Sequence, residues 1–169
     1  MQTQLKLKDI DPTTCVVKAT NRTHGRTISV HPDNSASRNL FYGRIIIQSG
    51  SDDVAFQNGT HETGLVCLNG SANVMTSDTE FKLNRYDALY IPRDSTITVS
   101  SAEGCDLAEI SSPVENQYPL QFVSFDAVRE DPALHFTAGK PPTERDPNIL
   151  LGKNVQAGRI MAGVTFSSD

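Results

Sequence analysis

The chain has 169 residues and 18.4 kDa, enough for one domain with a real core. Its 15 Lys+Arg against 20 Asp+Glu give a formal net charge of −5, a poor match for nucleic-acid backbones, so no nucleic-acid partner is expected. With 37% hydrophobic and 21% charged residues the composition is that of a globular protein, and no apolar run approaches the roughly 18 residues of a membrane span.

The opening residues, Met1 to Lys8, lack the apolar stretch of a secretory signal. Cys15, Cys67 and Cys105 are odd in number, far apart and free of CxxC spacing, which points to a reducing, cytoplasmic compartment. Without a signal segment, the N-x-S/T triplets at Asn21, Asn58 and Asn69 are read as unglycosylated.

Thr27 to Val30 and Gly43 to Gln48 are the first strand candidates. Within the second, Ile45-Ile46-Ile47 has no polar face, which predicts cover on both sides. Leu65 to Leu68 is apolar and strand-like, and Asn69-Gly70 after it is a strong hairpin signal. Ala72 to Thr76, a Ser77-Asp78 turn and Thr79 to Leu83 follow, then a turn over Asn84 to Asp87. Ala88 to Ile91 reads as a buried strand stopped by Pro92, Thr96 to Ser100 alternates as a half-exposed strand, and Leu107 to Ile110 is another short strand. Strands recurring every roughly 8–12 residues predict an all-β sandwich or barrel. One short helix is predicted over Ser124 to Asp131, from an N-cap serine to Pro132. The Pro-rich, charged stretch Lys140 to Pro147 reads as a surface linker, and Gly158 to Phe166 as a strand. The chain is therefore expected to divide into a barrel over 1–139 and, over 140–169, a linker plus the first strand of a second barrel.

Few residues offer chemistry by their spacing. His24 and His31 flank a strand, as a metal pair or as loop residues. His61 and Glu62 are adjacent, so on a strand they face opposite sides and cannot share one ion; they are expected to be a solvent-facing pair near a turn. His135, beside Phe136, is expected to make a partly buried polar contact. There is no G-x-S-x-G, and Ser111-Ser112-Pro113 reads as a strand end. No Gly-rich phosphate loop occurs, and the arginines are scattered, although any one of them can grip a carboxylate bidentately.

The series of strands from Thr60 to Ser100 resembles the core of a cupin, a jelly-roll β-barrel. That resemblance implies a divalent ion held by two His and a Glu from a first motif and a His from a second. Gly70 stands where the first motif closes; the Glu position is then Thr63, and the two His positions fall near Gln57 and Gly59. In the second motif Pro92-Arg93-Asp94 replaces a Pro-x-Gly turn, and Ile97 replaces the histidine. No metal ligand and no metal cofactor are therefore expected in this barrel.

Taken together, Gly64 to Gly70, Asp87 to Pro92, Thr143 to Leu150 and Arg159 to Thr165 resemble the bicupin uronate isomerases. That group holds 5-deoxyglucuronate isomerase of inositol breakdown and 5-keto-4-deoxyuronate isomerase of pectin breakdown. The resemblance implies a cupin-type jelly roll with a degenerate N-terminal barrel, and a Zn or Mn ion only in a C-terminal barrel, at a site soon after the strand Gly158 to Phe166 and beyond Asp169. It implies a small sugar-acid substrate interconverted between aldose and ketose, with no membrane partner. Catalytic residues are not assigned. Arg145 is the single substrate contact offered, gripping a sugar-acid carboxylate; the competing reading is an exposed linker arginine. Three functions compete. The first is the N-terminal part of such an isomerase. The second is a stand-alone, non-catalytic cupin for binding or assembly, with a C-terminal strand that pairs within its own barrel. The third is a metal-independent sugar epimerase using His61 or Tyr90. Sheet edges favour a homo-oligomer in any of them.

Overall fold

The computed structural model describes residues 16–167. Met1 to Lys8, Cys15 and Asp169, on which some expectations rest, lie outside the described residues. The strands are β1 Gly25–Val30, β2 Phe41–Gln48, β3 Val54–Gln57, β4 His61–Gly70, β5 Ala72–Thr76, β6 Thr79–Leu83, β7 Ala88–Ile91, β8 Thr96–Ser100, β9 Gly104–Pro113, β10 Gln121–Val123, β11 Arg145–Leu151 and β12 Ala162–Ser167. One short helix, α1 Phe125–Glu130, follows β10. The all-β expectation holds.

Two antiparallel sheets face each other. The larger has the order β1-β2-β9-β4-β7-β10 and the smaller β3-β8-β5-β6. Side chains alternate along each strand, so the inward set of the large sheet is Ile45, Ile47, Leu65, Cys67, Leu89, Ile91 and Leu107. Those residues meet Ala72, Val74, Leu83, Ile97 and Val99 of the small sheet in one dry core. Cys67 and Cys105 are buried and unpaired, and burial, more than any neighbour, pushes the Cys67 thiol up to about 12 and raises that of Cys105. Neither is a ready nucleophile.

The large sheet is also covered on its outer face. Val66, Ala88, Tyr90 and Ala108 pack against Val128 of α1 and against Leu150, Leu151 and Ile160. This second layer explains why all four residues of β7 are buried. In β2 the cover is less even: Ile45 and Ile47 are buried, while Ile46 on the other face is half-buried.

One expectation is corrected. Asn69-Gly70 is not a hairpin turn. β4 runs on to Gly70, pairs there with Cys105 of β9, and the chain then crosses into the other sheet as β5. Gly70 has φ +71°, and a Cβ there would collide with the Gly104 carbonyl, so glycine is needed for the corner rather than for a hairpin. The expectation for the stretch 140–169 is a linker and one strand. Lys140 to Glu144 is exposed, but from Arg145 the chain forms β11, which pairs with β12 as a hairpin on the outer face of the large sheet. Leu150 and Leu151 are fully buried there, so the segment is part of this barrel's packing and not a free linker.

The Ser77-Asp78 turn joins β5 to β6 as predicted, with φ of 50° and 59°. Helix α1 begins as predicted at Ser124, whose side chain accepts from the Ala127 amide.

Candidate functional site

One end of the barrel interior is polar. Arg26 of β1 reaches across β2 to Glu109 of β9, with Nε and an Nη at 2.7 Å from the two carboxylate oxygens. Glu109 is 1% exposed and the Arg26 side chain 30%, so the pair sits at the barrel mouth with its acid end inside. The guanidinium also lies 3.9 Å from the centre of the Phe56 ring. Beside the pair is a cavity of about 220 Å³ lined by Arg26, Gln57, His61, Thr63, Glu109 and Ser111, with Ile28 and Phe41 as apolar walls. Strand alternation puts these groups together: His61 and Thr63 of β4 and Glu109 and Ser111 of β9 share the inward face, with Thr63 directly opposite Ser111. His61 packs edge-on to Phe41 at 4.7 Å.

Its neighbour Glu62 points the other way, as adjacent strand residues must, but it is not solvent-facing. It is fully buried beneath the C-terminal segment. One carboxylate oxygen accepts from Tyr90 Oη at 2.8 Å and the Gly158 amide at 2.7 Å; the other accepts from the amides of Arg159 at 2.6 Å and Ile160 at 2.8 Å. Gly158 is required by this approach, because a Cβ there would stand 2.7 Å from Val114 Cγ1 and 3.2 Å from the carboxylate. Burial, then the Glu62 contact, raises the Tyr90 phenol far above its ordinary value. Tyr90 therefore faces away from the barrel interior and is no acid or base for a ligand there. That removes half of the epimerase reading, while His61 does point inward.

The remaining predicted residues scatter. Arg145 opens β11, is exposed, and borders a separate depression of about 150 Å³ with Thr137, Glu144, Asp146 and Phe166. It is not brought together with His61 or Glu109. His24 and His31 lie beyond opposite ends of β1, about 20 Å apart at strand rise, so they form no metal pair. His135 makes the expected contact: Nε2 is 2.6 Å from Asp146 Oδ1, and Arg129 donates to the other oxygen at 2.8 Å. At Asp146 desolvation works upward, but the His135 and Arg129 contacts outweigh it and hold the carboxyl below its ordinary value near 3.8. A depressed acid stabilises the fold above its unfolded value and loses that contribution as pH falls through the folded one. Asp146→Asn is accordingly expected to be less stable than the parent at pH 7, with the gap closing in denaturant titrations as pH falls below the ordinary carboxylate range.

Thr63 and Gln57, two of the positions where the cupin resemblance calls for ligands, line the mouth cavity, but Ile97 is part of the apolar core. Among the described residues no group of three His, Cys, Asp or Glu is placed to hold a metal. The side chains at those positions do not fit a divalent ion.

The family model described as KduI/IolB matches residues 15–169. The chain belongs to the KduI/IolB family. An IolB-like protein of Salmonella typhimurium LT2 superposes with a TM-score of 0.71 at 19% identity, covering 82% of this chain and 54% of that one. KdgF from a Halomonas species (TM-score 0.44, 18% identity, 53% of this chain and 80% of that one) and a Bacteroides fragilis cupin (0.44, 15%, 50% and 76%) are also similar. No curated protein matches the sequence. This KduI/IolB chain spans about half of the IolB-like structure, and its two facing antiparallel sheets make a jelly roll. No helix among the described residues is long and apolar enough to cross a membrane.

Sequence reasoning singled out His61 but expected it to face solvent, whereas it lines the mouth cavity; it missed Arg26, Glu109 and the burial of Glu62. The partners are 83 and up to 98 residues apart, and no local pattern links them. One signal was available: Glu109 stands at an inward position, two residues along the strand from Leu107.

Proposed function

We propose that this chain is the metal-free half of a sugar-acid isomerase that interconverts deoxyuronate aldose and ketose in carbohydrate or inositol catabolism. The family match over 15–169 carries this reading. An Arg26–Glu109 ion pair at the barrel mouth, in a barrel lacking the cupin ligand set, supports a scaffolding role for it. The Zn or Mn ion of the reaction then belongs to a second cupin barrel outside these residues. Arg145 is the residue assigned to the substrate carboxylate; Asp146 beside it is already engaged by Arg129 and His135. The compartment assigned is the cytoplasm, in keeping with the unpaired Cys67 and Cys105. A homo-oligomer fits the exposed Leu40 and Met161, 48% and 78% accessible.

A specific observation favours the second reading, a non-catalytic cupin module. β12 pairs with β11 in a separate two-stranded hairpin that packs on the outer face of this barrel's large sheet. The two readings separate in one assay. The purified protein, alone and mixed with a metal-loaded C-terminal cupin half of the family, is incubated with 5-deoxyglucuronate or 5-keto-4-deoxyuronate, and the sugar is followed by NMR. Turnover only in the mixture, lowered by Arg145→Ala in this chain, supports the isomerase; a mixture whose turnover does not depend on this chain favours the module.

A further inference from the structure

The mouth cavity brings several polar groups together. Ser111 is 6% exposed and lines it. The His61 ring lines it as well, edge-on to Phe41. Thr63 accepts from Asn58 Nδ2 at 3.3 Å, which leaves its hydroxyl hydrogen to donate. A concave site that combines apolar walls with a few convergent polar groups is suited to a small ligand that hydrogen-bonds to them.

The charges say which ligand. Arg26 and Glu109 neutralise each other bidentately, and they are the charged side chains of the lining. An ionised ligand would surrender its hydration without finding a free counter-charge, and an anion would also meet the Glu109 carboxylate. A hydroxyl group both donates and accepts, which matches Ser111, Thr63 and the ring nitrogens of His61. Phe41 and Ile28 offer apolar walls for C–H faces. At about 220 Å³ the space is below the roughly 300–1,000 Å³ of drug-sized sites and suits one ring.

We infer that the Arg26–Glu109 mouth of this barrel is a binding site for a neutral, polyhydroxylated single-ring molecule of monosaccharide size, oriented by His61 and Ser111. The site goes beyond the isomerase reading and does not depend on it, since binding here needs no turnover. The test is calorimetric titration of the full chain with glucose and, separately, glucuronate, which differ by one carboxylate. His61 ring resonances are followed by NMR in parallel. The expected result is saturable binding of one glucose per chain with a shift of the His61 signals, and glucuronate at least about 10-fold weaker. Ser111→Ala removes only the hydroxyl and should weaken glucose about 10-fold with the fold intact; His61→Gln should do likewise. No saturable glucose binding, glucuronate binding as tight as glucose, or glucose binding unchanged in both variants would each overturn the assignment. Loss of glucose binding would leave the isomerase assay unaffected, and absence of turnover would leave this site standing.

Discussion

Glu62→Ala is expected to destabilise the protein by about 3–5 kcal/mol, the range seen when a buried charged hydrogen-bond network loses one partner. The carboxylate is fully buried and accepts from Tyr90 and from three successive backbone amides, those of Gly158, Arg159 and Ile160. Alanine would leave three N–H groups and a phenol inside the protein without an acceptor. The C-terminal segment escapes that cost by lifting away, which exposes Leu150, Leu151 and Ile160 instead. Either route is expensive on the scale of a domain's total stability, about 5–15 kcal/mol. The loss should also be local: amide exchange should quicken over β11 and β12 before it does in β4, β7 and β9. Tyr90→Phe removes one of the four hydrogen bonds and should cost only about 1 kcal/mol. A Glu62→Ala denaturation midpoint indistinguishable from the parent's would refute the role given to this carboxylate.

Why this carboxylate escaped the sequence, while so much else was legible, has a physical answer. Local rules were sufficient where a local interaction decides. Ser124 caps its own helix, Ser77-Asp78 closes a hairpin between adjacent strands, and Thr96 to Ser100 alternates because only one of its faces meets the core. They failed where the deciding partner is remote. Glu62 beside His61 looks like a polar strand end until residues 158–160 are placed over it. Asn69-Gly70 has hairpin chemistry, yet the same positive φ serves a corner between sheets, and only the pairing of Gly70 with Cys105 tells the two apart. The stretch Lys140 to Pro147 has linker composition, and its first five residues are indeed exposed; Pro147 is nevertheless in a strand, opposite Thr165. Short β3 and β10 were not predicted at all, because Val54–Gln57 and Gln121–Val123 are too brief to show a period.

At the barrel mouth the same logic predicts an asymmetry between the two halves of one ion pair. Arg26→Ala should cost about 3–5 kcal/mol, because it leaves Glu109, 1% exposed, without the guanidinium that binds both of its oxygens. It also removes the cation from the Phe56 ring. Glu109→Gln should cost less, about 1–2 kcal/mol. The freed guanidinium is 30% exposed, keeps its aromatic contact, and can turn to water, while the Gln carbonyl still accepts one of its N–H groups. If the pair were an exposed surface contact, both replacements would cost under about 1 kcal/mol and would be alike. Denaturant titration of the two single variants and the double variant therefore reads the pair directly. A coupling energy well above 1 kcal/mol, with Arg26→Ala the more damaging single change, is the expected pattern. Equal and small effects would mean that the barrel mouth is solvated, and its remaining polar groups would then have water rather than a ligand as their natural partner.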